Sequence, residues 1–226
     1  MTSTPHISVN KLGEYIYATP AKKRSILKTM KYPSEFKFAR YPEPQNAFLH
    51  FMADEKHDPG IFEKKKQQVA GKKITSDWIK GNMHCCIEAL DHLINCSGTI
   101  LVPYLQFNAK KGLPPQEQNT TIQNVTIHIK PDVILLDATT KEIKGAIKLV
   151  FSKSRNIDSP EANIIAAGIK SHLDSLYKIK LKPENCIVLD VFHRRKFTAP
   201  KFLQTAKMQI KLACKEIVDT WPTITE

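Results

Sequence analysis

Basic side chains grouped beside an aromatic ring are the first residues of this chain whose types suit a chemical task. His193-Arg194-Arg195-Lys196 is a compact cationic run next to Phe197. Such a run can contact phosphates while the ring stacks on an unpaired base. A second set, Lys148, Ser152, Lys153 and Arg155, lies along the segment KLVFSKSR and could grip backbone phosphates. Both sets read equally well as exposed loop residues. Gly81, His84, Glu88 and Asp91 fall on one polar helix face, with His84 and Glu88 one turn apart; a solvated His–Glu pair is the plain alternative. Cys85 and Cys86 adjoin His84, but neighbours on a helix point in different directions, so Cys86 reads as core rather than as a nucleophile. The chain has no glycine-rich phosphate loop, no HExxH and no nucleophile elbow.

The overall charge agrees with a polyanionic partner. Among 226 residues, 34 Lys and Arg face 22 Asp and Glu, a formal net charge of +12. A surplus of this size steers polyanions toward a protein without specifying its fold. Hydrophobic residues at 42% and charged residues at 25% describe a globular chain, long enough for one domain with a modest annex. Five cysteines, an odd number with no CxxC pair, give neither a disulfide framework nor a zinc knuckle. No apolar run approaches the ~20 residues that span a bilayer, and no secretory signal is evident at Met1–His6. The expected setting is reducing and cytoplasmic, with no membrane partner.

The elements that must position these residues divide at about residue 76. Residues 1–75 read as a helical, proline-punctuated extension packed on the core, with basic pieces at Ala21–Lys31 and Ile61–Ala70. Residues 76–226 read as the core. Ser76 caps a helix whose apolar face carries Ile79, Met83, Cys86, Ile87, Leu90 and Ile94, and Gly98 offers a left-handed stop. Strands are predicted at Thr99–Phe107, over Ile122–Asp137 (one strand, or two broken at Lys130-Pro131), and at Ile143–Phe151, with Asn108–Asn119 a polar loop. Ser159-Pro160-Glu161 starts a helix running to about Tyr177. Cys186–Phe192 forms a fourth strand and Phe202–Asp219 the last helix. Helix, three strands, helix, strand, helix specify an α/β fold with a mixed central sheet. The second and third strands should pair as an antiparallel hairpin, and the fourth should lie parallel to a neighbour.

Within that order, Lys130-Pro131-Asp132 on the second strand and Gly145-Ala146-Ile147-Lys148 on the third resemble the Pro-Asp and (Asp/Glu)-x-Lys signatures of the PD-(D/E)XK nuclease superfamily, whose restriction-endonuclease-like core is αβββαβ. The resemblance covers Ser76–Phe192, and Gly81-Asn82-Met83-His84 is similar to the Gly-x-x-His of its exonuclease-like members. It implies a metal-dependent nuclease cutting phosphodiester bonds, DNA in particular, with Mg2+ or Mn2+ as cofactor. By resemblance, Asp132 is the main metal ligand and Lys148 assists the water and phosphate. His84 and Glu88 supply further metal ligands, Glu88 also a catalytic acid. Lys153, Arg155, His193, Arg194, Arg195 and Lys196 would then hold nucleic acid. A homodimer is one option, since paired cleavage of a duplex often uses one.

The chain departs from the signature at Ala146, where the acid two before the lysine is expected. A methyl group binds no metal. Glu161, in the first turn of the following helix, is the preferred replacement. Glu142 lies ~20 Å from Lys148 along an extended strand, and Asp137 is placed to cap a turn. Ala146 also favours a second reading, a catalytically degenerate pseudonuclease that binds nucleic acid or protein. A plain interaction protein with a chance Pro-Asp is the third.

Overall fold

Side-chain period and capping chemistry set the elements of the computed structural model, which describes residues 4–33 and 41–226. In chain order they are β1 (His6–Ser8), α1 (Val9–Ile16), α2 (Pro20–Lys31), α3 (Pro42–Ala53), α4 (Gly60–Ala70), α5 (Asp77–Ser97), β2 (Asn108–Lys111), β3 (Asn119–Ile122), β4 (Val125–His128), β5 (Val133–Leu136), β6 (Ile143–Val150), α6 (Ser159–Tyr177), β7 (Cys186–Asp190), β8 (Arg195–Thr198) and α7 (Gln204–Thr220). Ser8, Thr19 and Ser76 each accept a bond from the backbone N–H three residues on, which starts α1, α2 and α5.

A five-stranded mixed sheet of order β2-β5-β6-β7-β8 carries the fold. The β5–β6 hairpin is antiparallel, with Val133 opposite Ile147 and Ile134 opposite Ala146. β7 runs parallel to β6, as a strand reached through a helix should. Alternation along the strands separates two cores. Val133, Leu135, Ile147, Leu149, Ile187 and Leu189 pack with residues of α3, α4 and α5. Ile134, Ala146 and Val188 face α1, α6 and α7 on the other side. That second core also takes Ile7, Leu12 and Leu27 from the first 33 residues, and β1 pairs with β4 in a small sheet of order β1-β4-β3. No helix among the described residues is long and apolar enough to cross a membrane.

Several boundaries differ from the sequence expectation. Thr99–Phe107 is not a strand: it forms turns around a 3-10 segment, Val102–Tyr104, because Leu101 and Tyr104 are buried as anchors and Pro103 has no N–H for a ladder. The first strand is instead β2, inside the polar stretch read as a loop. Ile122–Asp137 is split between the two sheets. Gln123 and Asn124 both take positive φ, closing the β3–β4 hairpin, and Lys130-Pro131 separates β4 from β5. Asp158, not Ser159, caps α6 through Glu161 N at 2.9 Å. Gly98 stays in the right-handed region, while Lys178 supplies the left-handed cap of α6. β7 ends at Asp190, short of Phe192, because Asp190 and the following residues turn back into β8.

Candidate functional site

Asp132 and Lys148 meet through the register of the β5–β6 hairpin. The Asp132 N–H donates to Ile147 O at 2.9 Å, which lays its side chain beside the next turn of the pleat. There Oδ2 accepts from Lys148 Nζ at 2.9 Å and from Leu149 N at 2.7 Å. Oδ1 accepts from Gln45 Nε2 of α3 at 3.1 Å. Both charged side chains are nearly buried, at 11% and 12% exposure, so their pairing is shielded from solvent more than a surface pair. Gly112 lets the end of β2 come close to the Pro131–Asp132 backbone: it donates to Asp132 O, and a Cβ there would lie 2.0 Å from Pro131 O. Ala146 shares Lys148's face but is fully buried in the α6-side core. The position at which the resemblance leads one to expect an acid is thus filled by core packing.

Two clefts flank the pair, and both are lined by Gln45 and Lys148. On one side stand Lys110, Lys111, Lys130 and Asp132. On the other stand Asn10, Glu14, Lys22, Arg155 and Glu161. Gly13 of α1 packs on the backbone of Glu161, bringing Glu14 and Glu161 to the same cleft. Glu161 forms a bidentate pair with Arg155, one arm 2.9 Å long. Glu14 pairs with Lys11 at 2.7 Å and Lys22 at 3.3 Å. Burial opposes ionisation of Glu14, but Lys11, Arg155 and Lys22 outweigh it and hold the carboxyl below its ordinary 4.5.

The other expected site residues are distributed differently. Glu88 on α5 pairs with Lys153, whose ammonium also sits over the Phe192 ring at 5.6 Å. His84 is exposed on the same helix. Neither is hydrogen-bonded to Asp132 or Lys148, and among the described residues no group of three or more His, Cys, Asp or Glu is arranged to hold a metal ion. Arg155 is committed to Glu161. The run His193–Lys196 is divided by turn and strand geometry. His193 Nδ1 lies 2.9 Å from the fully buried Asp190 carboxylate. Arg195 binds Ile157 O at 2.7 Å and lies over Phe197. Lys196 points to the opposite face, over Tyr104, and Arg194 takes a left-handed φ of 50° between them. Glu142 pairs with Lys144, and Asp137 accepts from Thr139 N and Thr140 N, capping the β5–β6 turn as expected.

Gln45, Glu14, Lys110, Lys111, Lys130 and Asp190 were not singled out by sequence reasoning. Gln45 and Glu14 reach the site through tertiary packing and carry no local signal, beyond Glu14 being an acid on an otherwise apolar and basic helix. Compared with known protein families, curated proteins and solved structures, the chain matches none.

Proposed function

We propose that the chain is a metal-dependent nuclease of the PD-(D/E)XK kind, acting on DNA. The observation that carries the reading is the Asp132–Lys148 contact at 2.9 Å, on adjacent antiparallel strands at one end of a mixed sheet. The order α5, β2, β5, β6, α6, β7 supports it, since with the β3–β4 hairpin set aside it is the αβββαβ order of that core. In the five-stranded sheet β2–β5 and β5–β6 pair antiparallel and β6–β7 parallel, which supports the reading.

The donor chemistry fits magnesium or manganese, which take hard oxygen ligands. Among the described residues, Asp132 Oδ1 accepts from Gln45 alone, which leaves it a lone pair for an ion. Glu161 and Glu14 line the neighbouring cleft, paired with Arg155 and with Lys11 and Lys22 respectively. Among the described residues they do not form a three-carboxylate metal group with Asp132, so water or phosphate oxygens would have to fill the remaining positions. When bound, the ion supplies positive charge against phosphate oxygens and a more acidic water. The protein's own residues do the rest. Lys148 presents an ammonium beside the same point, suited to charge developing on a phosphate. Gln45 and Leu149 N fix the Asp132 carboxylate in orientation. Lys110, Lys111 and Lys130 offer phosphate contacts.

One specific observation favours a second reading, a degenerate relative that binds without cutting. Ala146 is fully buried, and Asp132 is already held by three donors. A cleavage assay separates the two. Single- and double-stranded DNA and RNA are incubated with magnesium, manganese or chelator, using wild type, Asp132→Ala and Lys148→Ala. Metal-dependent cutting lost in both variants is expected. Salt-sensitive binding without cutting, unchanged in both variants, would transfer the function to binding alone.

A further inference from the structure

Three clefts are linked by shared lining residues, and two of them border Lys148. The first, of about 1040 Å3, shares Lys110 and Tyr177 with the second, of about 640 Å3. The second shares Gln45 and Lys148 with the third, of about 510 Å3. Along the first two, Lys110, Lys111, Lys130, Lys180 and Lys182 have no carboxylate partner among the described residues. Asp137, Glu142 and Glu184 also line the first, and Asp137 and Glu142 pair with Lys144. In the third every such cation is taken: Lys11 and Lys22 by Glu14, Arg155 by Glu161. A polyanion gains affinity from cations that release counterions on contact, and cations already neutralised in the protein add little. A phosphate continuing into the third cleft would instead meet two largely buried carboxylates. That cleft is also lined by the uncharged side chain of Asn10, whose buried Oδ1 has no hydrogen-bond partner among the described residues.

Resting on the nuclease reading, we propose that the substrate is the free end of a nucleic-acid strand. The strand body lies along Lys180, Lys182, Lys110 and Lys130, its terminal phosphodiester reaches Asp132 and Lys148, and the terminal nucleoside occupies the third cleft. The step is hydrolysis: a water oxygen bonds to phosphorus, the bond from phosphorus to the bridging sugar oxygen breaks, and that oxygen takes up a proton. A mononucleotide and a strand one residue shorter leave, with no change of oxidation state.

The test compares one oligonucleotide sequence as a linear strand and as a ligated circle, in magnesium, reading both cleavage and competition for binding. The linear strand is expected to shorten stepwise while the circle persists, and the circle to compete about tenfold more weakly, the worth of one or two lost phosphate contacts. Equal cutting and equal binding of the circle would overturn end recognition and leave the nuclease reading standing. Absence of both binding and cutting for either form removes the nuclease reading and this inference with it. If the protein binds without cutting, the linear-to-circle binding ratio decides. Glu14→Gln frees Lys11 and Lys22 for phosphate and is expected to bring that ratio toward one. A melting curve confirms that the variant folds, and an unchanged ratio in a folded variant would contradict the charge argument.

Discussion

The two sides of the Asp132–Lys148 pair are furnished with the same cations and differ in what those cations touch. On the β2 side, Lys110, Lys111 and Lys130 project without carboxylate partners among the described residues. On the α1–α6 side, Lys11, Lys22 and Arg155 are bound to Glu14 and Glu161. A count of positive residues would score the two clefts alike. Pairing decides which of them can attract a polyanion, because a neutralised cation neither steers nor releases counterions. The cleft on the α1–α6 side therefore carries cations already neutralised by carboxylates, and the one on the β2 side carries unpaired cations.

That contrast can be broken in stages. The largest effect is expected from Asp132→Asn. The amide still accepts from Leu149 N but gives Lys148 no charge partner and gives a cation no anionic ligand. On the nuclease reading cleavage should fall at least ~100-fold, and denaturant titration should record a loss of about 3 kcal/mol, because Lys148 is left nearly buried without its counter-charge. Cutting that survives in Asp132→Asn would move the reactive centre elsewhere. Next is Ala146→Glu, which would complete the (Asp/Glu)-x-Lys pattern that the proposed function calls for. Because Ala146 is fully buried against the α6-side core, a carboxylate there is expected to cost about 3 kcal/mol or more in stability. A variant that folds as well as wild type and cuts faster would show that the methyl had simply replaced a ligand.

The smallest effect concerns the paired cleft. The folded-state pKa of Glu14 is depressed, so its ionised form stabilises the fold above the ordinary value of 4.5, and that contribution disappears as pH falls through the lower folded value. Glu14→Gln should cost on the order of 1 kcal/mol at neutral pH, discounted because Lys11 and Lys22 are half exposed. Its stability curve should converge on that of wild type below pH 4.5, which thermal melts across an acid series will check.

Much of the fold was legible where periodicity was strong and local. α5, α6, β6 and β7 follow from apolar spacing and caps, and the Asp132–Lys148 contact follows from the hairpin they imply. β2 was not legible, because Asn108–Lys111 is polar and lies at the sheet edge, where burial imposes no pattern. The apolar segment before it drew the strand assignment, yet its Leu101 and Tyr104 serve as anchors for turns. The rest of the site was hidden for a different reason. Gln45, Glu14 and the lysines of β2 gain meaning only from what lies across the fold from them. The division of His193–Lys196 came from strand alternation in β8, which a run of like charges conceals.

The most direct test of this polarity is the salt dependence of nucleic-acid binding in two matched double variants. Lys110→Ala with Lys130→Ala removes two free cations, whereas Lys11→Ala with Lys22→Ala removes two paired ones. The first is expected to reduce the slope of log affinity against log salt by about 1 per contact and to weaken binding at low salt. The second should leave both unchanged. Equal losses in the two variants would contradict the account, because they would make both clefts parts of one cationic surface.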